Sequence, residues 1–365
     1  MGVTKLKNIK KTTKSNLITF GIVIAFYVVI QAISAGGMLT NSFAGQLVPI
    51  CSYVILAISL NLTVGILGEL SLGHAGFMSV GAFSGTLAWV QLADRMPTWL
   101  ALLLAFVIGG LVAALFGLLV GVPVLRLSGD YLAIVTLAFG EIVKNFMNAC
   151  YLGYDSTGLH FSLKDSASMG LASDGTVLIN GAMGITGIQK ASTFTIGIVL
   201  VLITLVVVLN LIRSRAGRAI TSIRDNEIAA RSVGIPITKY KLMAFIVSAA
   251  FAGVAGVLYS LNFSSLVAKK FDYNTSILIL VFVVLGGIGN IRGSVIAAAL
   301  LTVLPEMLRS MNDYRMLIYA IVLIVVMIFT QSPKLLAWRK LVSEKLKMHK
   351  SGKSPTPPDA PKEVG

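Results

Sequence analysis

The stretch TWLALLLAFVIGGLVAALFGLLVG occupies residues 98–121 and contains no charged residue. A helix of about 20 apolar residues is long enough to cross the hydrocarbon core of a bilayer. Similar runs recur along the chain, in which 56% of residues are hydrophobic and 12% are charged, whereas an ordinary soluble domain has about 25% charged residues. The sequence therefore predicts an all-α fold, a polytopic bundle of membrane helices.

About ten apolar runs are long enough to be predicted spans. They cover residues 17–35, 44–64, 71–91, 98–121, 131–150, 193–212, 241–261, 274–290, 293–310 and 314–331.

The net charge of +15 is concentrated in segments that flank apolar runs, within residues 1–16, 213–241 and 334–353. Lys and Arg are enriched in the cytoplasmic loops of membrane proteins. We therefore expect these segments, including both termini, to be cytoplasmic. This distribution indicates membrane topology and gives no support to a nucleic-acid partner, whereas membrane lipid is an expected one.

The distribution of charged and apolar residues divides the chain into three parts. Residues 1–16 form a basic cytoplasmic N-terminus, residues 17–332 the membrane domain, and residues 333–365 a polar, Pro-containing tail that we expect to be largely disordered. A signal peptide is the alternative for the N-terminus. The apolar run at 17–35 is longer than a typical signal-peptide core, so we favour a retained anchor.

Residues 151–192 form the one sizeable loop on the predicted outer side, and they lack the basic excess of the inner loops. Their Gly, Ser and Asp content predicts turns and one short surface helix. Two interpretations are open, a docking surface for a protein outside the membrane and a solvated connector.

Two Gly-rich segments, residues 65–76 and 286–290, interrupt apolar runs. Glycine tolerates non-helical backbone, and broken helices inside a membrane protein tend to line cavities. Hairpin turns are the alternative interpretation of both segments.

Motifs for nucleotide or metal chemistry are absent from the sequence. Gly352-Lys353-Ser354 has Lys347 where a phosphate-binding loop requires Gly, and no His-Glu-x-x-His or Gly-x-Ser-x-Gly occurs. We therefore predict no catalytic residues, no metal site and no cofactor in this chain, which is not expected to be an enzyme.

Residues 225–236, in the second basic segment, predict a short helix outside the bilayer. Asp225 is the predicted N-cap, Gly234 the left-handed C-terminal residue, and Pro236 prevents continuation. A small apolar face made of Ile228, Ala229 and Val233 would fit a groove on a cytosolic partner. The alternative is a surface helix that contacts only its own chain.

This segment resembles the coupling segment of ATP-binding-cassette importer permeases, in which Glu-Ala-Ala is followed by Gly. The stretches at 60–65, 70–77, 129–137 and 286–290 extend the similarity. With them, residues 45–332 resemble the branched-chain amino-acid permease family. Glu69 stands where this family often has Gln.

The resemblance implies an importer subunit in a bacterial cytoplasmic (inner) membrane. Its expected partners are a second, related permease, two cytosolic ATPase subunits that use ATP and magnesium, and a periplasmic binding protein for leucine, isoleucine or valine. Permeases for urea or short amides belong to the same family and are the alternative. The implied ATPase-coupling residues are Asp225, Glu227, Ala229, Ala230, Arg231 and Gly234.

Glu141 falls near the middle of the predicted span 131–150, where an ionised carboxylate must be paired or hydrated. It is either a pathway residue or part of a structural ion pair with Lys144. His74 is expected either to gate or to bond a nearby carbonyl. The translocation-pathway candidates are Glu141, Lys144, Asn145, Thr136, Ser71 and His74.

An ion-coupled secondary transporter is the main alternative from another class, because broken helices would serve it equally well. It would be favoured by several carboxylates near the midplane, where the sequence places only Glu141.

Overall fold

The computed structural model describes residues 2–37, 40–125, 131–156, 158–171, 175–308 and 314–331. The chain divides into two compact units, residues 1–306 and 307–365. Helices dominate the described residues, as the sequence predicts. The tail at 333–365 and residues 129–130 of one quoted motif lie outside the described residues.

The helices associated with the first unit are α1 (Gly2–Ala35), α2 (Asn41–Asn61), α3 (His74–Leu92), α4 (Thr98–Val124), α5 (Tyr131–Ala149), α6 (Phe194–Arg213), α7 (Arg215–Asp225), α8 (Glu227–Ser232), α9 (Ile237–Ser260), α10 (Tyr273–Gly286) and α11 (Ile291–Met307). In the second unit the structure describes α12 (Arg315–Gln331).

Six of these helical segments are long and apolar enough to cross a membrane. They cover residues 17–35, 41–67, 98–124, 131–149, 194–213 and 237–260. The other four predicted spans coincide with helices that are shorter or less apolar, and α10, for example, has 14 residues. The described residues therefore contain six candidate spans, and the prediction of about ten crossings remains a prediction.

The basic N-terminal segment and the first apolar run form one continuous helix, α1, of 34 residues. The predicted boundary at residue 16 is therefore a change of composition within a helix. Burial differs among the candidate spans. The segment 41–67 is almost entirely enclosed by protein, whereas the apolar part of α1 is mostly exposed, as expected for a helix that faces lipid.

Helices α3, α4 and α9 pack closely through their glycines. A Cβ atom on Gly81 would collide with the backbone of Gly253, and one on Gly256 would collide with the carbonyl oxygen of Met78. Small residues at four-residue spacing let helix backbones approach in this way. Gly81 and Gly256 thus allow α3, α4 and α9 to lie in close contact, and we call these three helices the glycine core.

The loop between α5 and α6 contains a three-stranded antiparallel sheet in the order β2-β1-β3, built from β1 (Tyr151–Asp155), β2 (Gly158–Ser162) and β3 (Thr176–Asn180). A second pair joins β4 (Ile185–Thr186) to β5 (Ser265–Leu266). The sequence predicted turns and a short helix here, and it missed the strands because segments of two to five residues carry little periodic signal. The short helices in this loop are 3₁₀ turns, at Ala167–Met169 and Gly181–Met183.

Candidate functional site

The segment for which the sequence predicted one short helix forms the end of α7 and the whole of α8. Asp225 is the last residue of α7, and α8 begins at Glu227. Asn226 lies between them with extended backbone, and its Oδ1 accepts a hydrogen bond from the backbone N of Ala229 at 2.9 Å. The prediction that Asp225 caps this helix is therefore wrong, because Asn226 has the backbone conformation and the bond of an N-cap.

The predicted end of α8 is confirmed. Gly234 has φ +81°, a left-handed conformation that glycine adopts without the steric cost that other residues meet. Its backbone N donates to the carbonyl of Arg231 at 3.0 Å. Pro236 then immediately precedes α9, so that α8 is held between two longer helices.

Helix α8 and the residue that follows it, Val233, present apolar side chains to solvent. Ile228 is 80% exposed and Val233 is 75% exposed, and Ala229 between them is also exposed. We call Ile228, Ala229 and Val233 the apolar tip. Ala230 turns inward and is buried, so the two alanines of the predicted coupling motif have different surroundings.

Lys241, which the sequence places only among the basic residues that indicate topology, joins α8 to another part of the chain. Lys241 is 8% exposed, and its Nζ lies 2.5 Å from Oε1 of Glu69 and 3.0 Å from Oε2 of Glu227. Glu227 also accepts a hydrogen bond from Nη2 of Arg231 at 3.0 Å. Two features of the sequence could have indicated this contact. Lys241 is a charged residue near the beginning of an apolar helix, and Glu69 is an acidic residue in the first Gly-rich segment.

The first Gly-rich segment is a broken helix. After α2 ends at Asn61, Leu62–Leu67 form a π-helical turn, and Gly68 then leaves the helix with φ +85°. Non-helical backbone continues to Gly73, before α3 begins. We call residues 62–73 the broken segment.

Arg224, at the end of α7, reaches the broken segment. Its Nη1 donates a hydrogen bond to the carbonyl oxygen of Gly65 at 2.9 Å, and its Nη2 contacts Oδ1 of Asp225 at 2.9 Å. Its side chain also lies where a Cβ atom on Gly68 would be. The loop helices and the broken segment are thus bonded at two places, by Arg224 and by Lys241.

The second Gly-rich segment is a tight turn between α10 and α11, and it packs against the first. Gly289 has φ +80°, and its backbone N donates to Oδ1 of Asn61 at 2.8 Å. The Nδ2 of Asn61 in turn donates to the hydroxyl of Ser294 at 2.8 Å. The turn interpretation therefore holds for the second segment and the broken-helix interpretation for the first.

Among the pathway candidates, Glu141 forms the predicted ion pair with Lys144. The other oxygen of Glu141 accepts a hydrogen bond at 3.2 Å from the backbone N of Tyr273, at the start of α10. Asn145 follows on the same helix and is exposed. The Glu141 carboxylate thus contacts both the ammonium group of Lys144 and the N-terminus of α10.

The remaining pathway candidates lie at the broken segment. Thr136 is buried, donates to the carbonyl of Leu132 in its own helix at 2.8 Å, and accepts from the backbone N of Leu72 at 3.0 Å. Ser71 is buried, and within the described residues its hydroxyl has no hydrogen-bond partner. Nε2 of His74 lies 2.8 Å from the hydroxyl of Ser59, so the bond to a carbonyl predicted for this histidine is replaced by one to a hydroxyl.

Two groups of candidates result. Thr136 and Ser71 belong to the contact between α5 and the broken segment, whereas the Glu141–Lys144 pair lies at the first turn of α10. Helix α3, which follows the broken segment, also contacts α10, because the backbone N of Ala75 donates to the hydroxyl of Ser276 in α10 at 3.1 Å. Among the described residues, no group of three or more His, Cys, Asp or Glu could hold a metal ion.

A family model described as "Branched-chain amino acid transport system / permease component" matches residues 42–327. The high-affinity branched-chain amino acid transport system permease protein LivM of Salmonella typhimurium is 37% identical over 288 residues, which are 76% of this chain and 66% of that protein. LivM of Escherichia coli is 36% identical over 287 residues, with the same coverage of 76% and 66%.

The fructose import permease protein FruG of Bifidobacterium longum is more distantly similar. It is 24% identical over 264 residues, which are 70% of this chain and 71% of that protein. No solved structure shows significant similarity to the chain. The chain thus spans slightly less than two thirds of the length of the two LivM proteins.

Proposed function

The chain belongs to the family of permease components of branched-chain amino acid transport systems, and from that premise we propose that it is the membrane subunit of an ATP-driven importer. The family consists of transport permease components and not of enzymes. The proposed cargo is leucine, isoleucine or valine, the substrate class in the names of the LivM relatives. ATP and magnesium would be used by the partner ATPase subunits.

The observation that carries the proposal is the apolar tip of α8. Ile228 and Val233 would lose much of their exposed apolar surface in a groove on a cytosolic ATPase subunit, and removal of apolar area from water favours docking. A helix fixed by a cap at one end and a left-handed glycine at the other can transmit force from such a partner. Asp225, Glu227, Ala229, Ala230, Arg231 and Gly234 are the proposed coupling residues.

The proposed assembly places this chain beside a second, related permease in a bacterial inner membrane. Two ATPase subunits would bind the cytoplasmic side, and a periplasmic binding protein would dock on the outer loop that carries the β-sheet. About ten helices would then cross the bilayer, with both termini in the cytoplasm. This topology puts α8 on the ATPase side and the sheet on the binding-protein side.

The proposed route for the amino acid runs past the polar groups of α5, the broken segment and the start of α10. A zwitterion needs polar groups at membrane depth, and Glu141 and Lys144 offer one charge of each sign. Thr136, Ser71, His74 and Asn145 are the further proposed pathway residues. Closure of the ATPases would move α8 and open this route alternately to the two sides.

The decisive experiment is uptake of radiolabelled leucine into vesicles that contain this chain, the second permease, the ATPase subunits and the binding protein. We expect uptake that requires both ATP and the binding protein. Ile228→Asp should abolish it and release the ATPase subunits during purification, because a charge would enter the apolar contact.

Thr238→Asp is the matched control, because Thr238 is also exposed and lies in the first turn of α9. It should leave uptake and co-purification unchanged. Uptake that persists without ATP and follows an ion gradient would reject the importer and favour a secondary transporter. Uptake of urea or fructose in place of leucine would keep the mechanism and change the cargo.

A further inference from the structure

Lys241 connects two acidic residues from distant parts of the chain. Its single ammonium group contacts Glu69 at 2.5 Å in the broken segment and Glu227 at 3.0 Å in the first turn of α8. Lys241 itself belongs to α9, one of the three helices of the glycine core. One side chain therefore joins the proposed coupling helix, the broken segment and a central helix.

The contact between Lys241 and Glu69 is largely buried. The side chain of Lys241 is 9% exposed and that of Glu69 is 21% exposed. A charge with so little access to water requires an opposite charge, so Lys241 and Glu69 are expected to remain together. Glu227 is different, because its side chain is 42% exposed and it has a second partner in Arg231.

This asymmetry gives the contact two possible arrangements. When α8 moves, Glu227 can leave Lys241 and keep its bond to Arg231, while Lys241 keeps its bond to Glu69. Neither state leaves a buried charge unpaired. Two discrete arrangements of a packed ionic contact are what a coupled element requires.

We propose that Lys241 is the positioning residue that passes the displacement of α8 to the broken segment, through its contacts with Glu227 and Glu69. The inference rests on the proposed importer function and adds a residue and a route to it. The bond of Arg224 to the carbonyl of Gly65 supports the same route from the other end of the segment. The bond between Asn61, which immediately precedes the broken segment, and Gly289 extends this route to the turn between α10 and α11.

The test uses the reconstituted complex, with the amount of binding protein varied. In Lys241→Met the maximal uptake rate should fall at least ten-fold, whereas the concentration of binding protein that gives half-maximal uptake stays as in the wild type. The ATPase subunits should still co-purify in the wild-type ratio, because the apolar tip is unchanged. Stimulation of ATP hydrolysis by the binding protein should be lost.

Lys239→Met is the matched control, because Lys239 is an exposed lysine two residues earlier on the same helix. It should leave uptake unchanged. Glu69→Gln, Glu227→Gln and their double variant complete the series. If Lys241 links the two acids, the loss in the double variant should be smaller than the combined losses of the single variants.

The outcomes separate this inference from the function on which it rests. No ATP-dependent uptake by the wild type would reject the importer itself. Wild-type uptake together with Lys241→Met uptake within two-fold of it would reject the positioning role. If Lys241→Met fails to assemble, Glu69→Gln decides: full uptake there would leave Lys241 with a structural role only and overturn the proposal.

Discussion

Two regions of the molecule depend on glycine but are held together differently. One is the glycine core, and the other is the contact that α8 and the broken segment make with each other and with the α10–α11 turn. In the core, glycines bring helix backbones together, as at Gly81 and Gly253. In the second region, which we call the polar junction, Gly65 brings the backbone of Gly289 close, and hydrogen bonds and ion pairs complete the contact. Close packing resists change, whereas hydrogen bonds and ion pairs can have two discrete arrangements. The glycine core therefore suits a rigid frame and the polar junction a moving part.

The largest effect should come from filling the core. In Gly253→Val, the new side chain would meet Ala113 and lie 2.6 Å from the carbonyl oxygen of Gly109. Overpacking costs about 1–3 kcal/mol, and more where backbone is the obstacle. We expect little folded protein, measured by size-exclusion chromatography of the detergent-solubilised chain.

Ala250→Val is the control for this change on the same helix. Ala250 lines an open apolar groove of about 300 Å³ together with Leu111 and Ile203, so the larger side chain has space. Equal recovery of the two variants would show that the glycines of the core are not required for close approach.

A smaller effect on folding but a severe one on transport should follow from Gly65→Ala. Its Cβ would meet the side chain of Asn61 and lie 2.7 Å from the Cα of Gly289. Separation of these backbones should cost about 1–3 kcal/mol. We expect folded protein whose leucine uptake falls by about ten-fold or more.

Gly45→Ala is the control for the junction, because it lies in α2 with no atom within 4 Å of its new Cβ. Uptake should stay unchanged in that variant. Full uptake by Gly65→Ala would contradict the view that the junction depends on this contact.

Gly234→Ala tests the end of α8 without a collision. No atom lies within 4 Å of the new Cβ, but φ is +81°, which costs other residues about 1–2 kcal/mol. We expect uptake to fall by less than in Gly65→Ala, because the change strains one backbone position and separates no packed segments. Gly21→Ala in α1, also with open space around it, should behave as the wild type.

The smallest effect should come from a buried hydroxyl pair that joins α3 to α9. Thr86 donates to the hydroxyl of Ser260 at 2.7 Å. In Thr86→Val, loss of an interhelical hydrogen bond within a membrane protein should cost about 0.6 kcal/mol. Thermal unfolding in detergent should show a small decrease in Tm, and Ser84→Ala, which removes a bond within α3 only, should show none. A large decrease for Thr86→Val would mean that the core depends on polar contacts after all.

Local features of the site were predictable from the sequence. The pair of Glu141 and Lys144 lies three residues apart on one helix, a spacing that brings side chains together. The end of α8 at Gly234 followed from the known preference for glycine at that position. The start of α8 was misassigned because Asp225 and Asn226 are adjacent and both are good N-caps.

The contacts of the polar junction were not predictable in this way. Arg224 and Gly65 are 159 residues apart, Lys241 and Glu69 are 172 apart, and Asn61 and Ser294 are 233 apart. No helical period relates such positions. The sequence indicated that both Gly-rich segments are unusual, but it did not indicate that they contact each other.

The sequence by itself determined that the chain is a bundle of apolar helices with a short, capped helix in a basic loop, because composition, helical period and capping are local properties. The tertiary structure decided which polar groups meet: Lys241 with two acids, Asn61 with the backbone of Gly289, and an outer loop folded as a sheet. Buried charges and freed backbone groups must find partners wherever the packed helices place them, and that placement depends on the whole bundle rather than on any one segment.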